Sequence, residues 1–276
     1  MLMKRVIILI NITILTINFA YSQGINGVFG AESGMLGGCN ALLSSAFSVV
    51  NNPAVVSDLK KWQAGVFGEK RFGQKELGTS NFSIAVPNKW VDFGAAVSLF
   101  GFDKFNQQRF VLSAAKKLAP TLALGVQLNY LNTSIGEYGN SGAWVLGAGI
   151  YYQPISKIKV AFMLFNPNQQ QLSNKVSDNV PTYARFGLSY KVNEKVDVLV
   201  ESEQGLEQKT IFRSGIKYHL NKRIGFGVGA SSQPVLITFG ATIQANKLAI
   251  DLAAQVHQVL GVIPQFSLRL PIATQN

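Results

Sequence analysis

Five charged residues in the second half of the chain are spaced so that they meet across neighbouring strands. They are Arg185, Asp197, Glu201, Arg213 and Lys217. A symmetric hairpin centred on position 207 places Glu201 opposite Arg213 and also places Asp197 opposite Lys217. A turn centred on position 193 places Arg185 beside Glu201. Because opposed residues of antiparallel strands share one face, the spacing predicts a row of alternating charge.

Such a row has two interpretations. Charges that are removed from water are stabilised when opposite signs pair, so the row is structural in the first interpretation. In the second, the same charges bind a solute. We favour structural pairing, and a solute site stays open as the alternative.

The chain shows no arrangement that is typical of an enzyme. The segment Gly139-Asn140-Ser141-Gly142 lacks the spacing of a nucleophile elbow. His219 and His257 are expected near opposite ends of the fold, and Cys39 is the single cysteine, so no Cys/His metal set forms. We therefore predict no catalytic site, no cofactor and no metal, and the sequence leaves the roles of these three residues open.

The elements that must position the charges are amphipathic strands. In the segment Thr121–Asn132, Leu122, Leu124, Val126, Leu128 and Tyr130 alternate with small or amide residues. A two-residue period separates the two sets onto opposite faces of a strand, whereas a helix would mix them. The segment is about as long as a tilted strand that crosses a membrane, which needs ~9 to 11 residues.

The same pattern recurs fourteen times after the first 61 residues. The candidate strands are 62–69, 78–86, 91–100, 107–117, 121–131, 143–152, 157–165, 182–190, 195–201, 210–219, 223–230, 235–245, 247–256 and 262–270. Tight connections follow the even-numbered strands, and longer ones, such as 132–142 and 166–180, follow most of the odd-numbered strands. Short turns at one end and longer loops at the other are typical of an outer-membrane barrel.

The polar faces of these strands distinguish a closed barrel from a soluble sandwich. They carry many glycines and alanines, among them Gly94, Gly125, Gly149 and Gly227, which suit the narrow interior of a cylinder. The predicted fold is therefore an all-β, 14-stranded antiparallel transmembrane barrel spanning residues 61–276. A soluble secreted β protein, with its apolar faces packed against a second sheet, is the alternative.

Aromatic and basic residues support this orientation. Tyr152, Tyr190 and Tyr218 lie just before tight turns, while Tyr130 and Trp144 lie at the other end, as two interfacial belts would. Twelve lysines and arginines cluster at the tight-turn end, where lipid phosphates are expected. This clustering explains the net charge of +11 without a nucleic-acid partner.

The N-terminal 60 residues have a different character. Residues 1–22 combine two positive charges, an apolar run and a small-x-small ending, which predicts a secretory signal peptide over an uncleaved anchor. Residues 23–60 are rich in small residues and lack a two-residue period. We expect them to plug the barrel, with a short helix over Asn40–Val50 that ends at Asn51, Asn52 and Pro53. A flexible leader is the alternative.

The segment Gly30–Ala54 carries a family resemblance. A small-residue stretch and a short helix precede the plug motif Asn51, Asn52, Pro53 and Ala54, and a long run of strands follows. This arrangement resembles FadL-type outer-membrane proteins, and also the PorV and PorQ proteins of the type IX secretion apparatus, which share that superfamily. The resemblance implies a fourteen-stranded barrel, an N-terminal hatch, and passage of hydrophobic molecules through a lateral opening.

Two functions follow from this resemblance. The first is passive transport of a small hydrophobic molecule across the outer membrane of a Gram-negative bacterium. The second is a docking subunit that binds secretion-system proteins without transport. The outer loops are short and the expected lumen is charged, which keeps the second function open beside the first. In both, the protein is expected to be a monomeric barrel that contacts outer-membrane lipid.

Overall fold

The fold is seen in a computed structural model that describes residues 27–172, 180–206 and 208–272. The predicted signal peptide, residues 1–22, lies outside this range. Among the described residues, no helix is long and apolar enough to cross a bilayer.

Fourteen strands form one closed antiparallel barrel, which confirms the predicted fold class. Each strand pairs with its neighbours in sequence, and β1 closes the barrel against β14. The strands are β1 Trp62–Lys70, β2 Gly78–Val86, β3 Asp92–Phe102, β4 Phe105–Ala119, β5 Leu122–Ile135, β6 Gly139–Ile155, β7 Ile158–Phe165, β8 Tyr183–Lys191, β9 Val196–Gly205, β10 Ile211–His219, β11 Ile224–Ser232, β12 Val235–Ala245, β13 Leu248–His257 and β14 Gly261–Ile272.

The alternation along each strand separates the inside of the barrel from the outside. On β5, Leu124, Val126 and Leu128 are exposed on the outer surface, while Gly125 and Gln127 between them are buried in the lumen. The apolar faces therefore do not pack against a second sheet, and the soluble-sandwich alternative is wrong. A continuous apolar outer surface of this kind matches hydrocarbon better than water.

The chain before β1 fills the lumen. It contains helix α1 (Ala31–Met35), helix α2 (Ser48–Asn51) and a 3-10 helix (Pro53–Asp58), and its residues are buried almost throughout. On its way it contacts β11 to β14, then α2 and the 3-10 helix contact β2 to β6. Residues 27–59 are called the plug below.

The predicted helix over Asn40–Val50 is wrong, because only Ser48–Asn51 is α-helical. The backbone N–H groups of Asn40 and Ala41 donate to a carboxylate of the barrel wall instead of to a helical turn. Ser48 donates its hydroxyl to the Leu43 carbonyl. These side-chain and wall partners replace helical hydrogen bonds, which is how serine and asparagine compete with helices.

The predicted long loop 132–142 is also wrong. β5 continues to Ile135 and β6 begins at Gly139, so that only a 3-10 turn, Gly136–Tyr138, joins them. Asn132, Thr133 and Ser134 pair in the ladder with Gly142, Ser141 and Asn140. These residues are polar on both faces, so the alternation that predicts a strand fades while the hydrogen-bonded ladder continues.

Candidate functional site

The plug motif sits on a pair of glycines in the barrel wall. Gly125 of β5 and Gly149 of β6 are direct partners in the ladder. A Cβ atom at Gly125 would lie 2.4 Å from the backbone nitrogen of Ala54, and one at Gly149 would lie 2.0 Å from Oδ1 of Asn52. Pro53 packs on the same surface. The wall therefore lacks side chains where the plug backbone approaches it.

Two asparagines of the motif fold the plug onto itself. Asn51 donates its Nδ2 to the Phe29 carbonyl at 2.8 Å and accepts the Phe29 N–H at its Oδ1. Asn52 donates its Nδ2 to the Ala41 carbonyl, and its Oδ1 accepts the N–H of Ala54 at the start of the 3-10 helix. The motif thus positions both ends of the plug.

A second glycine surface receives the turn after α1. Leu36 lies against Gly215 of β10, and Gly37 lies against Gly229 of β11, at distances that leave no room for a Cβ atom in the wall. Gly37 itself has a φ of +71°, and its N–H donates to Oγ1 of Thr238 at 2.9 Å. The plug and the wall therefore meet backbone to backbone on two sides of the lumen.

The charge row lies where the plug crosses β8 to β10. Arg213 is opposite Glu201 in the ladder, with Nη1 3.2 Å from Oε1. The residue opposite Arg185 is Glu203, so the prediction that Glu201 is its cross-strand neighbour is wrong by two residues. The turn is centred on Glu194, because Val192 and Val196 close it with a backbone hydrogen bond. Nε of Arg185 still reaches Glu201 diagonally, at 3.3 Å.

The four buried groups of this cluster, Arg185, Glu201, Glu203 and Arg213, are called the charged sector. They balance in charge and they bind the plug. Oε2 of Glu201 accepts the backbone N–H groups of Asn40 and Ala41, both at 2.8 Å, and Nη1 of Arg185 donates to Oδ1 of Asn40 at 2.6 Å. A fully paired cluster with plug ligands supports a structural role for these residues.

Asp197 and Lys217, the other predicted pair, are opposite each other in the ladder as expected, but they do not form an ion pair with each other. Lys217 is opposite Asp197, but Lys217 instead binds Glu32 of α1, and Asp197 binds Nε2 of His219 at 2.9 Å. Glu32 also binds Arg269 of β14 at 2.7 Å. Burial raises the pKa of Glu32, but the attraction of Arg269 and Lys217 outweighs it and lowers that pKa to about 2.

The wall on the other side, from β3 to β7, carries an apolar cluster, called the apolar sector. Its buried members are Phe100, Leu131, Ala143, Val145, Met163 and Phe165, with Val180 and Tyr183 beside them. Arg109 lies among them with 1% of its surface exposed, donates from Nε to Asn129, and stacks 4.9 Å from the Phe165 ring centroid. It has no carboxylate partner among the residues that the structure describes.

The apolar sector also contains polar atoms without partners. Nη2 of Arg109 and both Nε2 and Oε1 of Gln127 are buried and make no hydrogen bond within the described part of the chain. Unsatisfied buried donors and acceptors are rare, because each loses its hydration without compensation. Within the apolar sector, these two side chains are therefore available to bind a solute or water; Nδ2 of Asn40 and Oε1 of Gln265 are the other buried polar atoms without a partner among the described residues.

A cavity of about 520 Å³ opens at the loop end of β2, β3 and β4. It is lined by residues from both faces of the wall: Thr79 and Phe100 point inward, whereas Ser80 and Leu99 point outward. Phe100 belongs to the apolar sector as well. The cavity thus lies at the rim of the wall, where residues of both faces line it, while Ser80 and Leu99 stay paired in the β2–β3 ladder.

Enzyme-like or metal-binding groups do not gather elsewhere in the described residues. No three His, Cys, Asp or Glu side chains among them are arranged to hold a metal ion. His219 and His257 lie at opposite ends of the barrel. Cys39 is buried in the plug, and its burial raises the pKa of the thiol, which keeps it protonated.

No protein-family model matches the sequence, and no curated protein matches it either. Solved structures do. The CymD monoaromatic hydrocarbon channel is 13% identical with a TM-score of 0.67, over 91% of this chain and 99% of that one. The toluene transporter TbuX of Ralstonia pickettii is 13% identical with a TM-score of 0.64, over 90% and 99%. A Pseudomonas aeruginosa FadL homologue is 12% identical with a TM-score of 0.64, over 91% and 99%.

The chain has the FadL-type barrel fold. The resemblance to FadL-type proteins is confirmed at this level, and these comparisons do not support the resemblance to PorV and PorQ. Sequence reasoning did not single out Glu203 or Glu32, which the structure places in ion pairs with Arg213 and Lys217. Glu203 shares the inward parity of its strand, which was a usable signal, whereas nothing in the sequence pairs Glu32 with Lys217.

Proposed function

We propose that the chain is an outer-membrane channel for passive passage of small hydrophobic molecules. Its fold is that of proteins described as hydrocarbon channels, and its outer surface is apolar. The observation that carries the proposal is the cavity at the loop end of β2 to β4, which shares Phe100 with the apolar sector and includes outward residues in its lining. In this proposal the protein resides as a monomer in the outer membrane of a Gram-negative bacterium and acts without a cofactor.

The route avoids the plug. Glycine contacts, hydrogen bonds of the plug with Glu201 and Arg185, and the ion pairs of Glu32 hold the plug on two sides of the lumen, so axial passage would require breaking them. A molecule that enters at the loop end instead meets Phe100, and its sideways exit requires the β2–β3 ladder to open at Ser80 and Leu99, which are paired in this structure. An apolar solute gains by moving from water into hydrocarbon along this path, at about 25 cal/mol for each Å² removed from water.

Uptake measurements test this proposal. Cells of a Gram-negative host that lacks channels of this fold are supplied with a radiolabelled monoaromatic hydrocarbon at low concentration. Cells that make the full-length chain should accumulate it faster than cells with an empty vector, while uptake of a sugar of similar size stays unchanged. Equal hydrocarbon uptake in both cell types would refute the proposal.

A matched pair of variants locates the route. Ser80→Trp places an indole at the outer edge of the cavity and should return uptake to the empty-vector level. Ala148→Trp adds the same side chain to the outer surface of β6, away from the cavity, and should transport normally. Equal uptake by the two variants would show that molecules do not pass between β2 and β4.

A further inference from the structure

The exposed positive charge of the molecule is concentrated at the tight-turn end of the barrel. Ten exposed basic residues, called the basic rim, lie there: Lys60, Lys61, Lys89, Lys116, Lys117, Lys157, Lys195, Lys222, Arg223 and Lys247. The loop end is nearly balanced, because its described residues comprise five basic and four acidic ones. These are Lys70, Arg71, Lys75, Lys104 and Lys209 against Glu69, Glu76, Asp103 and Glu137.

The basic rim carries more positive charge than the carboxylates at the same end can balance. The acidic residues at the same end have other partners: Asp58 binds Lys159, Glu194 binds Lys191, and Asp197 binds His219. The carboxylate of Asp92 accepts the N–H of Asn88. None of the ten rim residues makes an ion pair with another residue in the described ranges. Lys117 lies near Asp92 and Lys157 lies near Glu194, so most but not all of the charge of the rim is left without a nearby carboxylate.

The rim follows the whole circumference of the barrel. Its members occur just before β1 and at the ends or turns that join β2 to β3, β4 to β5, β6 to β7, β8 to β9, β10 to β11 and β12 to β13. A globular partner would contact one sector of such a ring, whereas a lipid annulus contacts all of it. The form of the ring therefore favours lipid.

Aromatic side chains set the depth of the rim. Trp62, Trp90, Tyr152, Tyr190 and Tyr218 are exposed on the outer surface at the same end, with Trp90 80% exposed next to Lys89. Tryptophan and tyrosine prefer the boundary between acyl chains and headgroups. Lysine side chains beside them extend toward the phosphate level, as long basic side chains do at a membrane surface.

We propose that the basic rim binds the phosphate groups of anionic phospholipids in the leaflet at the tight-turn end. This inference rests on the membrane location given in the proposed function. Each basic residue within reach of a headgroup should raise the local preference for an anionic over a zwitterionic lipid by about fivefold.

Tryptophan quenching by brominated lipids tests the proposal at both ends of one molecule. Two full-length variants keep a single tryptophan each: Trp90, beside the rim, or Trp144, which is exposed at the loop end. Each is reconstituted into vesicles of brominated phosphatidylglycerol, brominated phosphatidylcholine or their mixtures. Trp90 should show a relative binding constant for phosphatidylglycerol about fivefold above that for phosphatidylcholine, and Trp144 should show nearly none.

Three controls make the outcome specific. Lys89→Gln should lower the preference at Trp90, whereas Lys104→Gln at the loop end should not. Molar salt should weaken the preference, because the Debye length falls to about 3 Å. An equal response of Trp90 to both lipids would overturn the proposal and leave the rim to an acidic macromolecule. Absence of quenching by any lipid would instead contradict the membrane location, so the two failures are distinguishable.

Discussion

Arg185 and Arg109 are two buried arginines at the two ends of one aromatic stack, and their surroundings differ. Arg185 stacks on Tyr183, Tyr183 lies 5.2 Å from Phe165 between ring centroids, and Arg109 stacks on Phe165. Arg185 belongs to the charged sector, with carboxylates and a plug ligand around it. Arg109 belongs to the apolar sector, and its partners within the described residues are the Asn129 amide and the Phe165 ring.

The difference separates two tasks within one lumen. A buried charge that is fully paired resists rearrangement, because breaking the pair leaves an uncompensated charge that is buried away from water. The charged sector therefore suits holding the plug. A buried charge without an opposite charge is stable only as far as weaker partners allow, so it is available to a polar group that arrives. The apolar sector therefore suits contact with a passing solute.

The largest expected effect comes from Arg185→Met, which leaves Arg213 as the one arginine beside the two carboxylates Glu201 and Glu203 of the charged sector. The variant should lose about 3–5 kcal/mol of unfolding free energy, because one buried negative charge is left uncompensated. Urea unfolding of the barrel reconstituted in vesicles, followed by tryptophan fluorescence, measures the change. Lys191→Gln, which breaks the exposed pair with Glu194, is the control and should unfold like the unaltered chain.

A pH series probes the contact between α1 and the wall. The folded pKa of Glu32 is depressed, so its contribution to stability is present above the unfolded value near 4.5 and is lost as the pH falls toward about 2. Glu32→Gln should therefore be about 3 kcal/mol less stable at neutral pH and should show a flatter decline between pH 4.5 and 2. Glu76→Gln alters an exposed residue at the loop end and serves as control. Parallel pH curves for the unaltered chain and Glu32→Gln would contradict the assignment.

Gly125→Val tests the contact between the plug motif and the glycines of the wall, because it forces a side chain against the Ala54 backbone. Such overpacking should lower the unfolding free energy by roughly 1–3 kcal/mol and make the segment around Ala54 more accessible to protease. Gly68→Val on β1 is the matched control, because no atom lies within 4 Å of the added Cβ there. An unchanged stability for Gly125→Val would show that the plug does not depend on this contact.

The smallest expected effect distinguishes the two arginines most directly. Arg109→Met removes a buried charge and leaves no opposite charge unpaired. The unfolding free energy should therefore change by about 1 kcal/mol or less in either direction. The same substitution at Arg185 should be strongly destabilising. If both substitutions destabilise equally, Arg109 has a hidden partner and the contrast between the sectors fails.

The number of strands and the side of the barrel wall on which each side chain lies were predictable. A two-residue period is a local property that each segment carries in its own sequence. The pairing of Glu201 with Arg213 followed from the symmetry of one hairpin. The partner of Arg185 was misplaced, since a turn centred one residue later shifts the register by two. Extension of β5 to Ile135 was missed because polar ladder residues carry no alternation.

The contacts between the plug and the barrel wall could not be predicted from the sequence. Glycines on the polar faces indicated a narrow interior, but not which segment each would receive. Gly125 and Gly149 are 24 positions apart and meet a motif more than 70 positions earlier. Such contacts depend on the closed ring of strands, whose geometry no single segment specifies. The same holds for Glu32, which meets Lys217 only across the lumen.

The course of the plug has a consequence for biogenesis. The plug precedes β1 in the chain, touches the wall on both sides, and lies inside a ring whose last seam joins β1 to β14. A segment that is in close contact with the wall on two sides cannot easily enter a barrel that has already closed. The plug must therefore be enclosed while the seam is still open, so that a segment synthesised before all fourteen strands acts as a template around which the last strand closes.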